Sequence, residues 1–361
     1  GRQQNQGITM TTPTSNDARR LVTIESIVAI EPIPGADSIE VARVRGWTVV
    51  VKKGEFAPGD PVVYIEVDAA LPIDDPRFAF LAARGTKTLA GRDVHVLKTA
   101  RLRGVYSQGI VFSLTDFPEL SGVDDETGFD AALGVAKWEP PLPPGMAVLG
   151  PFPSHLQKTD AERVQNLDDE TWSAIQADAD SWLPTEKVDG TSLTAWRTVD
   201  GILHVAGRNW ELDPATANVY WDAIATSRLD ESVGVGEWVQ AEVVGPGVQA
   251  NALKLDALRV VAFGYGTFDA AEPSIATTVR IPTTDWPAWA DTLRAPVYGF
   301  ELPVTRDEAI AQVETIKSLI SPSCGAEGVV WTHVVGTPLA GLGNRPVWKS
   351  ISARYLTKHG G

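Results

Sequence analysis

A lysine, an aspartate and a glycine stand close together in residues 186–192, which read Glu-Lys-Val-Asp-Gly-Thr-Ser. A lysine amine attacks phosphorus or a carbonyl carbon only when it is unprotonated, so Lys187 is a candidate nucleophile that needs a lowered pKa or a nearby metal ion. In an extended segment Asp189 points to the same side as Lys187, and Gly190 lets the backbone approach a ligand closely. A pattern this short also arises by chance, so the residues that follow it decide its meaning.

Five further elements follow this stretch in a fixed order. They are a Gly-Arg-Asn run with Arg208, Glu242 on a predicted strand before Gly-Pro-Gly, Phe263 on an apolar strand, Glu327 in a Glu-Gly-Val-Val run, and Lys349 on a last strand. An unpaired carboxylate is costly in an apolar strand, so Glu242 and Glu327 are expected to have a functional role. Six elements in one order are far more specific than the first alone.

Alternating apolar positions and turn residues predict the elements that carry these side chains. Residues 192–197 and 202–206 are predicted to pair as a hairpin about the Asp200-Gly201 turn. Further strands are predicted at residues 238–244, 259–265, 327–331 and 347–352. A capping-box pattern at Thr305 and Glu308 predicts the start of a helix, whose apolar face comprises Ile310, Val313, Ile316 and Ile320. This part of the chain is therefore predicted to be mixed α+β.

The N-terminal part has a different pattern. Residues 21–67 alternate apolar and polar positions, with breaks at Pro34-Gly35, Gly54 and Pro58-Gly59. Short strands at this spacing predict a small β-barrel. Two turns, residues 32–37 (PIPGAD) and 53–60 (KGEFAPGD), resemble those of the tRNA-binding type of OB-fold. OB-folds bind single-stranded or structured nucleic acid on one face of the barrel.

The charge distribution indicates where a nucleic acid would bind. The net charge of −15 alone argues against a polynucleotide binder, because phosphate neutralisation drives most polynucleotide affinity. Residues 17–115, however, carry 13 Lys and Arg against 12 Asp and Glu, whereas residues 116–361 carry 17 against 34. The candidate nucleic-acid-binding residues are Lys52, Lys53, Lys98, Arg101 and Arg103. The alternative interpretation is that these residues form a solvated charged rim.

The length of the chain predicts more than one domain. At 361 residues the chain exceeds the size at which a single core is usual. We predict a disordered start at residues 1–16, with a cloning remnant before a native Met10, and an OB-fold module at 17–115. A Pro-rich acidic linker is predicted at 116–157 and a second domain at 158–361.

Composition bounds the environment of the protein. No apolar stretch approaches the ~20 residues of a membrane span, so no membrane partner is expected. The single Cys324 excludes an intrachain disulfide and fits a reducing compartment. We therefore expect a monomer in the cytoplasm.

Taken in order, the six elements of residues 186–349 resemble the covalent nucleotidyltransferase superfamily of polynucleotide ligases and capping enzymes. With the OB-like module ahead of them, the chain resembles the ATP-dependent RNA ligases that seal nicked duplexes with an RNA 3′-OH end. DNA ligases and capping enzymes usually place the OB domain after the catalytic domain. The resemblance implies an α+β fold in which an N-terminal OB-like β-barrel precedes a mixed α+β nucleotidyltransferase (adenylation) domain, and a role in RNA repair.

The resemblance also implies a reaction and the residues that perform it. An amine attacks the α-phosphorus of ATP, a lysyl-AMP phosphoramidate forms and pyrophosphate leaves; Lys187 matches the nucleophile. Asp189, Glu242 and Glu327 match carboxylates that hold a catalytic Mg²⁺ or Mn²⁺ through its waters, and such a cation would favour the neutral amine of Lys187. The expected cofactors are ATP and Mg²⁺ or Mn²⁺, and the expected partner is RNA or a nicked RNA-containing duplex.

Further residues match nucleotide contacts of the family. Lys349 matches a lysine on the α-phosphate, and Arg208 matches the arginine that follows the nucleophile motif. Phe263 matches an aromatic residue that stacks on adenine, with burial in the core as its alternative. Glu186 is placed to accept from the adenine amino group, and Arg163 resembles a further nucleotide contact. The run around Lys349 departs from many relatives because it holds one lysine instead of a K-x-K pair.

Two other functions stay open at this point. One is a DNA ligase or a GTP-using guanylyltransferase of the same superfamily, which differs in the nucleotide transferred to Lys187 and in the 3′ end accepted. The other is a non-enzymatic OB-type tRNA-binding protein with an inert partner domain. Label retained on the protein from α-labelled ATP distinguishes an enzyme from a binder.

Overall fold

A computed structural model describes residues 19–124, 128–142 and 145–360 of the chain. The predicted start at residues 1–16 lies outside the described residues, as do residues 143–144 of the proline run. Within the described residues, no helix is both long enough and apolar enough to cross a membrane.

The N-terminal part is built from short strands, as its alternating apolar positions predict. The strands are β1 (Val22–Ser26), β2 (Ala29–Pro32), β3 (Ile39–Val44), β4 (Trp47–Lys52), β5 (Pro61–Ile65), β6 (Ala69–Pro72), β7 (Lys87–Leu89), β8 (Arg92–Val96), β9 (Ala100–Leu102), β10 (Val105–Ser107), β11 (Ile110–Ser113) and β12 (Ala136–Lys137). They form sheets with the orders β2-β3-β4, β1-β5-β11, β12-β6-β8-β7 and β10-β9. Helical turns at Pro76–Arg84, Leu114–Asp116 and Pro118–Gly122 and the helix α1 (Phe129–Leu133) complete this part.

The apolar core of the N-terminal part extends beyond the predicted OB-fold boundary. One cluster surrounds Trp47, and another surrounds Phe78. Phe129 and Val135, which belong to the predicted linker at 116–157, pack into the cluster around Phe78, and β12 pairs with β6. This segment of the linker therefore packs on the barrel. The division of the chain at residues 115 and 157 stays a prediction.

The second part contains two sheets. Its strands are β13 (Val148–Pro151), β14 (Glu162–Arg163), β15 (Trp182–Lys187), β16 (Thr191–Arg197), β17 (Leu203–Ala206), β18 (Trp210–Leu212), β19 (Glu237–Val244), β20 (Arg259–Thr267), β21 (Val279–Arg280), β22 (Gly328–His333) and β23 (Val347–Ile351). A seven-stranded sheet has the order β13-β18-β17-β16-β19-β20-β21, and a four-stranded sheet has the order β14-β23-β22-β15. The predicted α+β character and the hairpin formed by β16 and β17 are confirmed.

Helices pack around these two sheets. They are α2 (Asp169–Ala177), α3 (Val219–Ser227), α4 (Leu229–Ser232), α5 (Ala288–Leu293), α6 (Arg306–Gln312) and α7 (Ala353–His359), with shorter turns at Val164–Asn166, Ala179–Ser181, Ile275–Thr277 and Thr283–Asp285. Residues of α3 and α5 join the largest apolar cluster on one face of the seven-stranded sheet.

Alternation along β19 gives the seven-stranded sheet two different faces. Val239, Ala241 and Val243 point into the core beneath α3. Because side chains alternate along a strand, Gln240 and Glu242 point to the opposite face. That face carries the candidate site.

Phe263 on β20 lies on the same face as Glu242, next to a β-bulge. Gln240 pairs with Gly264 and Ala241 pairs with Ala262, so Phe263 is an extra residue on β20. Bulges re-aim side chains and are common beside active sites. Here Val261 and Phe263 line a cavity on that face, while Val260 and Ala262 join the core. Phe263 therefore keeps the alternation of β20, and the bulge returns Tyr265 to the core.

The helix that begins after Thr305 is shorter than its apolar pattern predicts. The N-cap of the predicted capping box forms, because Thr305 Oγ1 accepts a hydrogen bond from Glu308 N at 3.1 Å, whereas the Glu308 carboxylate accepts from Val304 N at 3.0 Å. The helix α6 ends at Gln312, so the prediction that Ile316 and Ile320 continue its apolar face is wrong. β-Branched residues lose side-chain freedom in a helix, and the segment after α6 instead turns to form hydrogen bonds with the candidate site.

Candidate functional site

A cavity of about 860 Å³ has walls from both sheets of the second part. The predicted residues that line it are Glu186, Lys187, Arg208, Glu242, Phe263 and Lys349. Cavities of this size accommodate nucleotide-sized ligands. The structure thus brings together side chains that are separated by more than a hundred residues in sequence.

Lys187 is positioned by the pairing of two strands. It is the last residue of β15 and pairs with Gly328 at the start of β22, which brings Glu327 beside it. Lys187 Nζ donates to Glu327 Oε1 at 2.7 Å. Burial alone would lower the pKa of Lys187, but the carboxylates of Glu327, Glu242 and Asp189 raise it above its ordinary value. These acidic neighbours therefore hold Lys187 as an ammonium ion.

Glu242 approaches Lys187 from the other sheet. Its Oε1 accepts a hydrogen bond from Gly190 N at 3.2 Å. At Gly190 the chain passes so close to β19 that an added Cβ atom would lie 2.0 Å from Val243 O, which explains the glycine of the nucleophile motif. Burial and the neighbouring carboxylates raise the pKa of Glu242 to about 8, although Lys187 opposes the shift.

Asp189 accepts a hydrogen bond from a residue of helix α7. Tyr355 Oη on α7 donates to Asp189 Oδ2 at 2.9 Å. Ser352 caps this helix, with its Oγ accepting from Tyr355 N at 3.0 Å. Burial and the charge of Asp189 raise the pKa of Tyr355, so its hydroxyl stays a donor. The sequence interpretation missed Tyr355, which lies 166 residues from its partner.

Lys349 lies on β23 in the wall of the same cavity. Burial and the charge of Lys187 lower the pKa of Lys349 well below its ordinary value, while Asp160 acts in the opposite direction. Asp160 also lies 3.6 Å from Lys137, measured from Oδ1 to Nζ. Burial alone would raise the pKa of Asp160, but the surrounding cations lower it. Asp160 was missed as a site residue, although it lies three residues before Arg163 in the sequence.

Arg208 lies in the cavity wall as part of an ion-pair group. Its Nε is 3.1 Å from Glu139 Oε1, and its other end pairs with Asp160. Both carboxylates also line the cavity. Arg208 therefore forms ion pairs and also faces the cavity, as the nucleotide-contact prediction requires.

Phe263 and Glu186 also line the cavity, but they differ in how deeply they are buried. Phe263 is half-buried and faces the cavity from the bulge of β20. Glu186 is buried, and its carboxylate accepts from Ser318 Oγ at 2.7 Å and from Leu319 N at 2.6 Å. The segment after α6 thus fixes the orientation of Glu186.

Arg163 is buried between the two parts of the chain. Its guanidinium carbon lies 4.8 Å from the ring centroid of Trp47, and β14 pairs it with Lys349 on β23. Burial and the charge of Arg19 lower the pKa of Arg163 to about 10. Its Nε and Nη2 are buried without a hydrogen-bond partner among the described residues. Arg163 does not line the cavity, so its contact with a nucleotide stays a prediction.

Asn166, a few residues after Arg163, links the two parts of the chain. Its Oδ1 accepts from Trp47 Nε1 at 2.8 Å and from Arg45. Its Nδ2 donates to Glu66 Oε1 at 2.8 Å, and Glu66 is fully buried. The N-terminal part is therefore fixed to the strand that pairs with Lys349. The sequence interpretation did not single out Asn166.

The predicted nucleic-acid-binding residues lie outside the cavity. Lys52 and Lys53 are exposed at the end of β4, and Arg101 and Arg103 are exposed in the hairpin of β9 and β10. Lys98 differs from them, because its Nζ lies 3.8 Å from a carboxylate oxygen of Asp68. The exposed residues remain candidates for phosphate contacts.

A β-barrel ahead of a mixed α+β domain, in which three carboxylates surround a lysine of the cavity wall, defines the class of OB-fold-bearing nucleotidyltransferases. Residues 21–114 match the family model of an OB-fold domain. The comparison with curated proteins gave no match.

Solved structures narrow this class to one family. A Naegleria gruberi RNA ligase with PPi superimposes with a TM-score of 0.78 at 31% identity and covers 95% of this chain and 99% of that chain. A mutant of the same RNA ligase with ATP and Mn has the same TM-score and identity and covers 94% of this chain and 99% of that chain. The chain belongs to the ATP-dependent RNA ligase family, and it is an enzyme of that family.

Proposed function

We propose that this enzyme uses ATP to join an RNA 3′-OH end to a 5′-phosphate end, at nicks in duplexes, through a lysyl-AMP on Lys187. The observation that carries the proposal is the 2.7 Å contact of Lys187 Nζ with Glu327 in a nucleotide-sized cavity. The charges of Glu242 and Asp189 also raise the pKa of the Lys187 amine. The membership of the RNA ligase family supports this reaction over GMP transfer.

In the first step Lys187 forms a bond to the α-phosphorus of ATP while the bond to pyrophosphate breaks. The amine must lose a proton before it attacks, and the acidic neighbours oppose that loss. Glu327 Oε1 is the carboxylate atom hydrogen-bonded to the amine and is the proposed acceptor of its proton. Neutralising the surrounding carboxylates would release the amine for attack.

The carboxylates of this cluster fit a hydrated divalent cation. Glu327 Oε2 is buried without a hydrogen-bond partner among the described residues, and Glu242 is held at a raised pKa by burial and like charge. No group of described His, Cys, Asp and Glu side chains is close enough to hold a metal ion directly, so we propose that Asp189, Glu242 and Glu327 would hold Mg²⁺ or Mn²⁺ through its waters. When bound, the ion supplies positive charge that offsets the carboxylates and the developing phosphate charge.

The other cavity residues position the nucleotide. Lys349 is proposed to contact the α-phosphate, and Arg163, which pairs with Lys349 across β14 and β23, is proposed to be a further nucleotide contact. Arg208, in the cavity wall, is proposed to contact the nucleotide. Phe263 is proposed to stack on adenine, and Glu186 to border the adenine amino group.

Two later steps complete the proposed reaction. The 5′-phosphate of the RNA attacks the lysyl-AMP phosphorus, which frees Lys187 and gives a 5′-adenylylated end. The 3′-OH then attacks the 5′-phosphorus, the phosphodiester forms and AMP leaves. The exposed cations Lys52, Lys53, Arg101 and Arg103, with Lys98, are proposed to hold the duplex backbone during these steps.

The experiment is a sealing assay on nicked duplexes that differ only at the nick. A 5′-phosphate nick with an RNA 3′-OH should be sealed with ATP and Mg²⁺ or Mn²⁺, and omission of the metal should stop sealing. The same duplex with a DNA 3′-OH, and GTP in place of ATP, are the controls. Equal sealing of the DNA end would favour a DNA ligase, and transfer from GTP would favour a guanylyltransferase.

A further inference from the structure

A second cavity of about 420 Å³ lies beside the nucleotide cavity and has no part in the proposed reaction. Its walls include Gln157, Trp238, Gln240, Arg280 and Asn344. Trp238 and Gln240 lie on β19 in the same alternating row as Glu242. The two cavities therefore follow one another along one face of the seven-stranded sheet.

Arg280 is a charged side chain in the wall of this second cavity. Its Nη2 donates to Phe263 O at 2.9 Å, and its guanidinium carbon lies 5.8 Å from the ring centroid of Trp238. An added Cβ atom at Gly264 would lie 2.9 Å from Nη2, so the glycine leaves the room that the guanidinium occupies. The guanidinium is thus fixed next to the residue proposed to stack on adenine.

The charge of Arg280 is not balanced by the side chains around it. A guanidinium has five N–H donors, and the Phe263 carbonyl takes one of them. Within the described ranges, no carboxylate forms an ion pair with Arg280, and burial together with Arg345 lowers the pKa of Arg280 to about 9. The missing carboxylate partner is notable because residues 116–361 carry 34 Asp and Glu against 17 Lys and Arg. Arg280 is half-buried in the cavity wall and no described carboxylate is paired with it, so the arrangement favours an anionic ligand.

We propose that the second cavity is a phosphate-binding site in which Arg280 holds a phosphate group of the substrate outside the AMP moiety. The planar guanidinium binds two phosphate oxygens at once. The volume of the cavity leaves room for more of a nucleotide than the phosphate. The proposal rests on the proposed function, because it assigns a further part of that substrate. The phosphate comes from either the RNA strand beside the nick or the triphosphate end of ATP.

The test separates these two sources by measuring ATP use and RNA binding independently, the latter with a substrate that needs no ATP. Arg280→Gln removes the charge, and Arg280→Lys retains a charge without the planar fork. For each variant, the KM for ATP is measured in self-adenylylation, and the Kd is measured for a nicked duplex that already carries AMP on its 5′ end. An RNA source predicts a Kd weakened by about 10-fold with an unchanged KM, and an ATP source predicts the reverse. Arg280→Lys should lose less than Arg280→Gln in either case.

A matched control is present in the same domain. Arg294 lies with its guanidinium carbon 5.7 Å from the Trp286 ring centroid and pairs with Asp291, and it lines neither cavity. Arg294→Gln should leave both constants unchanged. If Arg280→Gln and Arg280→Lys change neither constant, or change both to the same extent, the phosphate site is wrong. Failure of the unmodified enzyme in self-adenylylation and in joining would instead contradict the proposed function.

Discussion

The protein holds its basic residues in two contrasting settings. Lys187 and Lys349 are enclosed in the cavity, where carboxylates and burial move their pKa values in opposite directions. In contrast, the N-terminal part has solvent-exposed cations at Lys52, Lys53 and Arg103. Enclosed charges interact strongly and specifically, whereas exposed charges are screened by salt. The acidic second part therefore concentrates a few positive charges in its cavity, while the near-neutral N-terminal part has exposed charges suited to long-range attraction.

Substitution of Lys187 should have the largest effect on the first step. Lys187→Ala and Lys187→Arg should both abolish label transfer from α-labelled ATP, because alanine has no amine and a guanidinium stays protonated. Denaturing electrophoresis after incubation with ATP and Mn²⁺ measures the label. Lys317→Arg, on an exposed lysine outside the cavity, is the matched control and should retain normal transfer. Appreciable label on Lys187→Arg would sink the assignment of the nucleophile.

The carboxylates around Lys187 should show the next largest effect. Asp189→Asn, Glu242→Gln and Glu327→Gln remove charge with little change in shape, and each should slow self-adenylylation by about 100-fold or more. The measurement is a titration with Mg²⁺ and Mn²⁺ at saturating ATP. The half-saturating metal concentration should rise in every variant. Titration curves that match the unmodified enzyme in all three variants would contradict the metal-holding role.

Asn166 tests whether the contact between the N-terminal part and the second part supports the first step. Asn166→Ala removes the acceptor of Trp47 Nε1 and a donor to buried Glu66, which should cost about 1–3 kcal/mol in the free energy of unfolding. Because Asn166 lies beside β14, self-adenylylation should also slow, by about 10-fold. Denaturant unfolding and label transfer measure the two effects.

A helix-cap variant controls for loss of stability alone. Thr305→Ala removes the cap of α6 and should cost about 1 kcal/mol. Its rate of self-adenylylation should match that of the unmodified enzyme. If Asn166→Ala loses stability but transfers label at the normal rate, the N-terminal part does not support the nucleotide site.

The smallest effect on the first step is expected from the exposed cations. Neutralising Lys52, Lys53, Arg101 and Arg103 together should leave self-adenylylation unchanged but weaken binding of a nicked duplex. Each lost phosphate contact lowers the slope of log affinity against log salt by about 0.9. Anisotropy titrations at several salt concentrations measure the slope. If the slope stays unchanged in the fourfold variant, the duplex lies on another face. The control is Arg228→Gln, at an exposed residue of the second part, which should leave the slope as it is in the unmodified enzyme.

Much of the fold was accessible from local patterns in the sequence. Alternation along β19 predicts both its burial and the face that carries Glu242, because the side-chain period of a strand is two. The order of the six elements identified the family. The early end of α6 was not predictable from its apolar face, because Ile316 and Ile320 keep a helical spacing beyond the helix.

Contacts over long separations were out of reach of the sequence. Asn166 reaches Trp47 across 119 positions, and Tyr355 reaches Asp189 across 166. No local pattern marks such partners, because polar residues at these positions read equally well as surface. Arg163 was identified by resemblance alone, and its burial against Trp47 follows from the docking of the N-terminal part.

The most direct test of the account is to locate the AMP by mass spectrometry. The full chain is incubated with ATP and Mn²⁺, with pyrophosphatase present to prevent reversal, and is then digested and its peptides are sequenced. The account predicts one AMP per chain, attached to Lys187, and its loss when the adenylylated protein is returned to excess pyrophosphate and metal. Unmodified Lys187 under these conditions, or AMP on any other residue, would contradict it.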